Sequence, residues 1–130
     1  MEDRVRRALQ RDRTIDITTI GRKSGRPHRI ETWFHRINGE FYLTGSPGRR
    51  DWYANLLAHP TLTFHLKQSV VADLPARATP ITDPVERRSV FAAILKDLGQ
   101  EQDLDAWMAG SPLMVVTFEE PGAAACRSTH

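Results

Sequence analysis

The chain has 130 residues, 40% of them apolar and 26% charged, with a formal net charge of +2. That suits one soluble globular domain with a core of its own, and it excludes a disordered chain or one built around bilayer-spanning helices. The charge is also too small and too local for a nucleic-acid binder, which needs a basic face, aromatic platforms or a recognition helix.

The N-terminal "MEDRVRRALQRDR" is charged throughout and lacks the apolar stretch of a secretory signal. Val5, Ala8 and Leu9 form a narrow apolar stripe at helical spacing, which predicts a helix over 3–12. The β-branched run 15–20 predicts a strand, and "HRIETWFHRI" a second. Ile30, Thr32 and Phe34 share one face of that second strand, and Glu31, Trp33 and His35 the other. Asn38-Gly39 predicts a two-residue hairpin turn into a third strand over 40–44. After the "GSPGRR" loop, Asp51 is expected to cap a short helix that Pro60 terminates.

"TLTFHLK" alternates as a fourth strand. Its partner falls within 70–78, where Pro75 is expected to bend or bulge it. Asp83-Pro84-Val85-Glu86 opens a helix whose buried stripe is Phe91, Ile94, Leu95 and Leu98 and whose end is Gly99. Residues 100–111 read equally as helix or loop. "LMVVTF" predicts a last, fully buried strand. The fold class is therefore mainly β with helices (α+β): six antiparallel strands in a small closed or half-open barrel. The expected layout is a helix over 1–13, the barrel over 14–120 and a flexible tail over 121–130. The single Cys126 cannot form an intrachain disulfide, which points to a reducing, cytoplasmic setting.

The chemistry-bearing stretches are few. No P-loop, dinucleotide fingerprint, HExxH, GxSxG or cysteine pair occurs, and the five histidines show no metal-ligand spacing. An enzyme with so few reactive groups borrows its reactivity from a cofactor. In "TTIGRKSGRPHR", two glycines sit among Arg22, Lys23, Arg26, His28 and Arg29. Backbone amides, cations and the Ser24 hydroxyl make such a turn suitable for an anion, and equally for a solvated hairpin tip. In "GSPGRRDWYANLLAHP", Trp52 and Tyr53 suit either an aromatic wall beside a planar ligand or a core position. Trp33 and His35 suit a ligand cavity, or a face covered by a helix or a second subunit. Asp73, Arg77, Asp83 and Arg87 read as solvated surface charges, and Trp107 as a packing residue.

Taken together, "TTIGRKSGRPHR", "GSPGRRDWYANLLAHP" and the final "PLMVVTFEEP" resemble the deazaflavin (F420)-dependent nitroreductase and quinone reductase family, over residues 14–121. The resemblance implies a six-stranded split β-barrel of the flavin-binding type, and coenzyme F420 as the hydride carrier, with FMN as the alternative. It implies that Arg22, Lys23, Ser24, His28 and Arg29 hold the coenzyme's anionic tail. Ser46 and Gly48 would contact the coenzyme from the next loop, and Trp52 and Tyr53 would flank its ring or linker. Tyr53 and His35 are the candidate catalytic proton donors; no metal site is expected. The acceptor would be a quinone, enone or nitro compound, and the protein a homodimer without a membrane segment or nucleic-acid partner. Departures from the family pattern are Pro47 for a lysine, Glu31 for a proline, Trp33 for a tyrosine, and no tyrosine in "LGQEQDLDAWMAGSPL". The last counts against nitroimidazole reduction. A haem-binding barrel and a non-catalytic ligand-binding module are the rival readings.

Overall fold

The computed structural model describes residues 1–119. The predicted flexible tail at 121–130, with Cys126, lies outside them. In chain order the elements are α1 (Asp3–Arg11), β1 (Thr14–Ile20), β2 (Pro27–Ile37), β3 (Glu40–Thr44), α2 (Asp51–Ala58), β4 (Thr61–Leu66) and β5 (Ala72–Pro80). Then come α3 (Pro84–Leu98), a 3₁₀ turn at Glu101–Asp103, α4 (Leu104–Gly110) and β6 (Leu113–Phe118). The strands close an antiparallel barrel in the order β1-β2-β3-β6-β5-β4, sealed where β1 meets β4 with Ile15 opposite Leu66 and Ile17 opposite Phe64. Closure leaves no free sheet edge to pair with another chain.

Alternation sets the core. Ile15, Ile17, Phe34, Leu43, Phe64 and Leu66 point inward, joined by Val5, Ala8 and Leu9 of α1 and by Trp52 and Leu56 of α2. Phe64 lies edge-on to Phe34 at 5.2 Å and to Phe118 at 5.0 Å between ring centroids, arrangements that aromatic quadrupoles favour. A second cluster packs α3 and α4 against the barrel through Phe91, Ile94, Leu95, Trp107 and Leu113.

Local signals are met where neighbours in sequence are enough. Asn38 (φ 51°) and Gly39 (φ 81°) both take the left-handed region that a type I′ turn requires. Asp83 accepts from the Glu86 amide at 2.9 Å, Pro84 opens α3, and Gly99 (φ 70°) ends it.

Other expectations are corrected. Asp51 is the first helical residue of α2 rather than its cap; Arg50 holds the cap position and makes no side-chain capping bond. Pro75 causes no bulge, because the β4–β5 register runs unbroken through Thr63 opposite Pro75. Residues 100–111 are the 3₁₀ turn and α4. β6 is not fully buried: Val115 and Phe118 are half-buried and Thr117 is exposed. Arg87 is not a free surface charge, while Asp73 is exposed as expected but also paired. Arg87 Nη2 donates to the carbonyls of Trp107 (3.3 Å), Met108 (3.1 Å) and Ser111 (2.6 Å), satisfying the C-terminal end of α4. Asp73 holds Nδ1 of the buried His65 at 2.7 Å, and the Thr18 hydroxyl meets its Nε2 at 2.7 Å.

Truncating Phe64 to alanine opens the barrel centre and is expected to cost about 3–5 kcal/mol, whereas Asp83→Ala removes one cap at about 1 kcal/mol. Urea denaturation of the two variants against the parent checks both the values and their order.

Candidate functional site

The loop from β1 to β2 is built by two glycines for different reasons. Gly25 adopts φ 70°, a left-handed turn. Gly21 is required by space: a Cβ there would lie 2.7 Å from both His28 Nε2 and Ser24 Oγ. The loop closes on itself through Gly21 N to the Arg26 carbonyl at 2.8 Å and Gly25 N to the Gly21 carbonyl at 2.9 Å. It is then fastened to α2. The buried Asn55 Oδ1 accepts from the Arg22 amide at 3.1 Å and from Arg22 Nη1 at 2.8 Å, while Nη2 lies 3.4 Å from Asp51. Arg22 is thereby held as part of the wall. Lys23 has no hydrogen-bond or ion-pair partner among the described residues, so its charge is available to a ligand.

This loop, with Trp52 and Asn55, encloses a cavity of about 640 Å³. A second, of about 530 Å³, lies beyond it and is lined by Glu31, Trp33, His35, Ser46, Trp52 and Trp107, among others. Ile30 and Trp52 line both cavities. These two adjoining cavities make up a groove, lined by Arg22, Lys23, His28 and Asp51 on one side of Trp52 and by Trp33, Trp107, Arg50 and Glu31 on the other, each within the size range of small-molecule sites. Trp52 reconciles its two sequence readings: it is 7% exposed and part of the barrel core, yet it presents a surface to the groove. Trp107 likewise packs on Phe91 at 5.9 Å and walls the second cavity.

Glu31 does not stand alone in the groove. Lys67 Nζ bonds its carboxylate directly and also lies 2.6 Å from Asp16, which holds Arg29 Nε at 3.0 Å. Two cations and two carboxylates cancel locally. The hydrogen bond from Lys67 is the main cause that keeps the Asp16 pKa below its ordinary value, and the bond to Asp16 raises that of Lys67. His35 is different: desolvation, reinforced by Arg13, lowers its pKa to about 4. Its ring is therefore neutral at pH 7 and offers a hydrogen-bonding N–H rather than a charged acid.

The remaining predicted residues divide. Arg22, Lys23, Ser24 and His28 line the first cavity, and His35 and Ser46 the second. Trp52 joins the two. Arg29 lines neither, being turned to Asp16. Gly48 and Tyr53 line a separate cavity at the other side of α2. Tyr53 follows Trp52 on the helix, and about 100° of rotation per residue sends the two rings to different faces. Sequence reasoning missed Asn55, although a polar residue one position before core Leu56 in "WYANL" was the available signal. It also missed Lys67 as the partner of Glu31. Among the described residues no group of His, Cys, Asp and Glu is placed to hold a metal ion.

A depressed histidine pKa carries a pH signature. Between about pH 6.5 and 4 the unfolded chain protonates His35 and the folded one resists, so stability falls as pH falls through that window. Histidine-ring NMR is expected to place the His35 midpoint near 4, and His35→Gln is expected to flatten this part of the stability profile.

The same fold recurs in proteins of known structure. The chain matches the F420-H2 dependent reductase FDR-A at 19% identity, covering 82% of this chain and 95% of that one, with a TM-score of 0.61. It matches HutZ, the heme storage protein from Vibrio cholerae, at 17% identity over 92% and 90% of the two chains, TM-score 0.67. A FAD-binding protein from Mesorhizobium loti matches at 14% identity over 89% and 86%, TM-score 0.62. At these identities the likeness establishes the fold alone, a split β-barrel. The sequence itself goes further: residues 2–117 match the model of the F420H(2)-dependent quinone reductase family, and the chain belongs to that family.

Proposed function

We propose that this protein is an F420-dependent oxidoreductase, carrying hydride from reduced coenzyme F420 to a planar electrophile such as a quinone, an enone or a nitro compound. The family membership supports the coenzyme. The observation that carries the reading is the pair of adjoining cavities that share Ile30 and Trp52, with Arg22, Lys23 and His28 in the first and two further indoles in the second. An elongated ligand with an anionic tail and a flat ring system fits that division. When bound, the reduced deazaflavin supplies the hydride; the chain's own residues do the rest.

Lys23 and Arg22, with the Ser24 hydroxyl and His28, would hold the negative tail. Arg22 is already oriented by Asn55, so little side-chain entropy is lost when a ligand arrives. Trp52 separates tail and ring segments. Trp33 and Trp107 wall the chamber where the acceptor would meet the coenzyme, excluding water on their sides. The neutral His35 would donate an N–H to an acceptor oxygen, and solvent would return the proton. Because Lys67 neutralises Glu31, the carboxylate at this unusual position does not expel an anionic coenzyme.

Homodimerisation and residence in the cytoplasm belong to the same proposal. The first rests on Trp33 at 50% and Ile30 at 38% exposure beside the groove, the second on the lone cysteine. FMN or haem binding is the alternative coenzyme reading, and the absorbance of the purified protein separates them.

Fluorescence titration with coenzyme F420 is expected to show saturable binding, weakened roughly 10- to 100-fold in Lys23→Ala, as befits loss of a charge-assisted bond of about 1.5–3 kcal/mol. Absence of binding in the parent protein would remove the proposal. Lys67→Met, which uncovers Glu31 and Asp16, is expected to weaken binding about 3- to 10-fold, and adding Glu31→Gln to restore part of it. No recovery in the double variant would show that Lys67 acts otherwise than by neutralising charge.

A further inference from the structure

On the face of α2 away from the groove lies a third cavity of about 750 Å³, larger than either of the two that make up the groove. Its walls come from the loop before α2, from α2 itself, and from the junction of α4 and β6. The walls are fixed by specific bonds. Gly48 N donates to the Gly110 carbonyl at 3.1 Å, docking the loop on the end of α4. A Cβ at Gly110 would lie 3.3 Å from Pro47 Cβ, so the two segments are in close contact. Arg87 ties the same junction together through three carbonyls.

The chemistry of the lining is one-sided. Three arginines, Arg49, Arg50 and Arg87, line the cavity, and among the described residues no aspartate or glutamate does. The Arg49 side chain has no carboxylate partner among the described residues; its carbonyl accepts from Arg50 at 3.4 Å. Arg50 is committed on both terminal nitrogens, Nη1 to that carbonyl and Nη2 to the Ser46 carbonyl at 2.9 Å. The Arg49 guanidinium is left to meet a ligand, and its fork suits carboxylate or phosphate oxygens. Opposite the charges, Leu57, Ile81, Ala54 and Pro112 give an apolar side, and Tyr53 adds a ring.

We propose that this cavity is a second ligand site, distinct from the redox groove, for a small aromatic molecule bearing a phosphate or carboxylate. The anion meets Arg49, and the ring lies on Leu57 and Ile81. Arg50 also lines the groove's second cavity, so the two sites share a wall. This inference does not depend on which coenzyme the groove takes, or on whether it takes one.

The test is an NMR titration of the protein with naphthyl phosphate, with neutral naphthol as control, following backbone amides. Saturable shifts are expected at Thr82, Ala109 and Gly110, at least tenfold weaker for naphthol. Arg49→Glu is expected to weaken them at least tenfold, while Lys23→Ala, in the groove, leaves them unchanged. The inference is overturned if these amides do not shift at millimolar probe, or if naphthol matches the phosphate. It is equally overturned if Lys23→Ala rather than Arg49→Glu abolishes the shifts, because the probe then sits in the groove.

Discussion

Asn55 Oδ1 receives two hydrogen bonds from one arginine, one from its backbone and one from its guanidinium. That bifurcated contact joins the basic loop to α2 across 33 residues of sequence. Without it the loop would be a solvated hairpin tip, one of the two forms its composition allowed. With it, the loop is tied to the helix that carries Trp52 and shares a cavity with it. The amide also reaches the Thr19 hydroxyl at 3.5 Å, so strand, loop and helix converge on one buried polar group. Buried polar groups satisfied in this way specify geometry as much as they stabilise it.

Helix α2 presents three different faces to its surroundings. Leu56 and part of Trp52 enter the barrel, Asn55 and the rest of Trp52 face the groove, and Tyr53 and Leu57 face the third cavity. An eight-residue helix cannot bury all of these on one side, since successive residues turn by about 100°. The helix thus separates two chemically different chambers. The groove mixes cations, indoles and a neutralised carboxylate, whereas the third cavity holds arginines without acids.

The charge network around Lys67 shows how an unusual residue is accommodated. Glu31 on β2, Asp16 on β1 and Lys67 just after β4 meet because adjacent strands hold them side by side; Asp16 stands directly opposite Glu31 in the register. A like-charged pair opposite one another would destabilise the sheet. The ammonium between the two carboxylates removes that penalty and, in the same step, the negative field at the groove.

Much of the fold was legible because its signals are local. Alternating apolar residues set the strands, Asn38-Gly39 set a turn by its tolerance of positive φ, and Asp83 with Pro84 set a helix start. The basic character of the loop and the aromatic character of the helix after it were likewise carried by the residues themselves. What the sequence by itself could not determine was direction and partnership. Whether Trp52 and Tyr53 share a chamber depends on how α2 is rotated against the barrel, which long-range packing decides. Whether Glu31 is a bare charge depends on Lys67, 36 positions away. Whether Arg87 is solvated depends on where the end of α4 falls. Composition and spacing act over a few residues, whereas barrel closure brings together groups tens of residues apart, and only the closed structure assigned their partners.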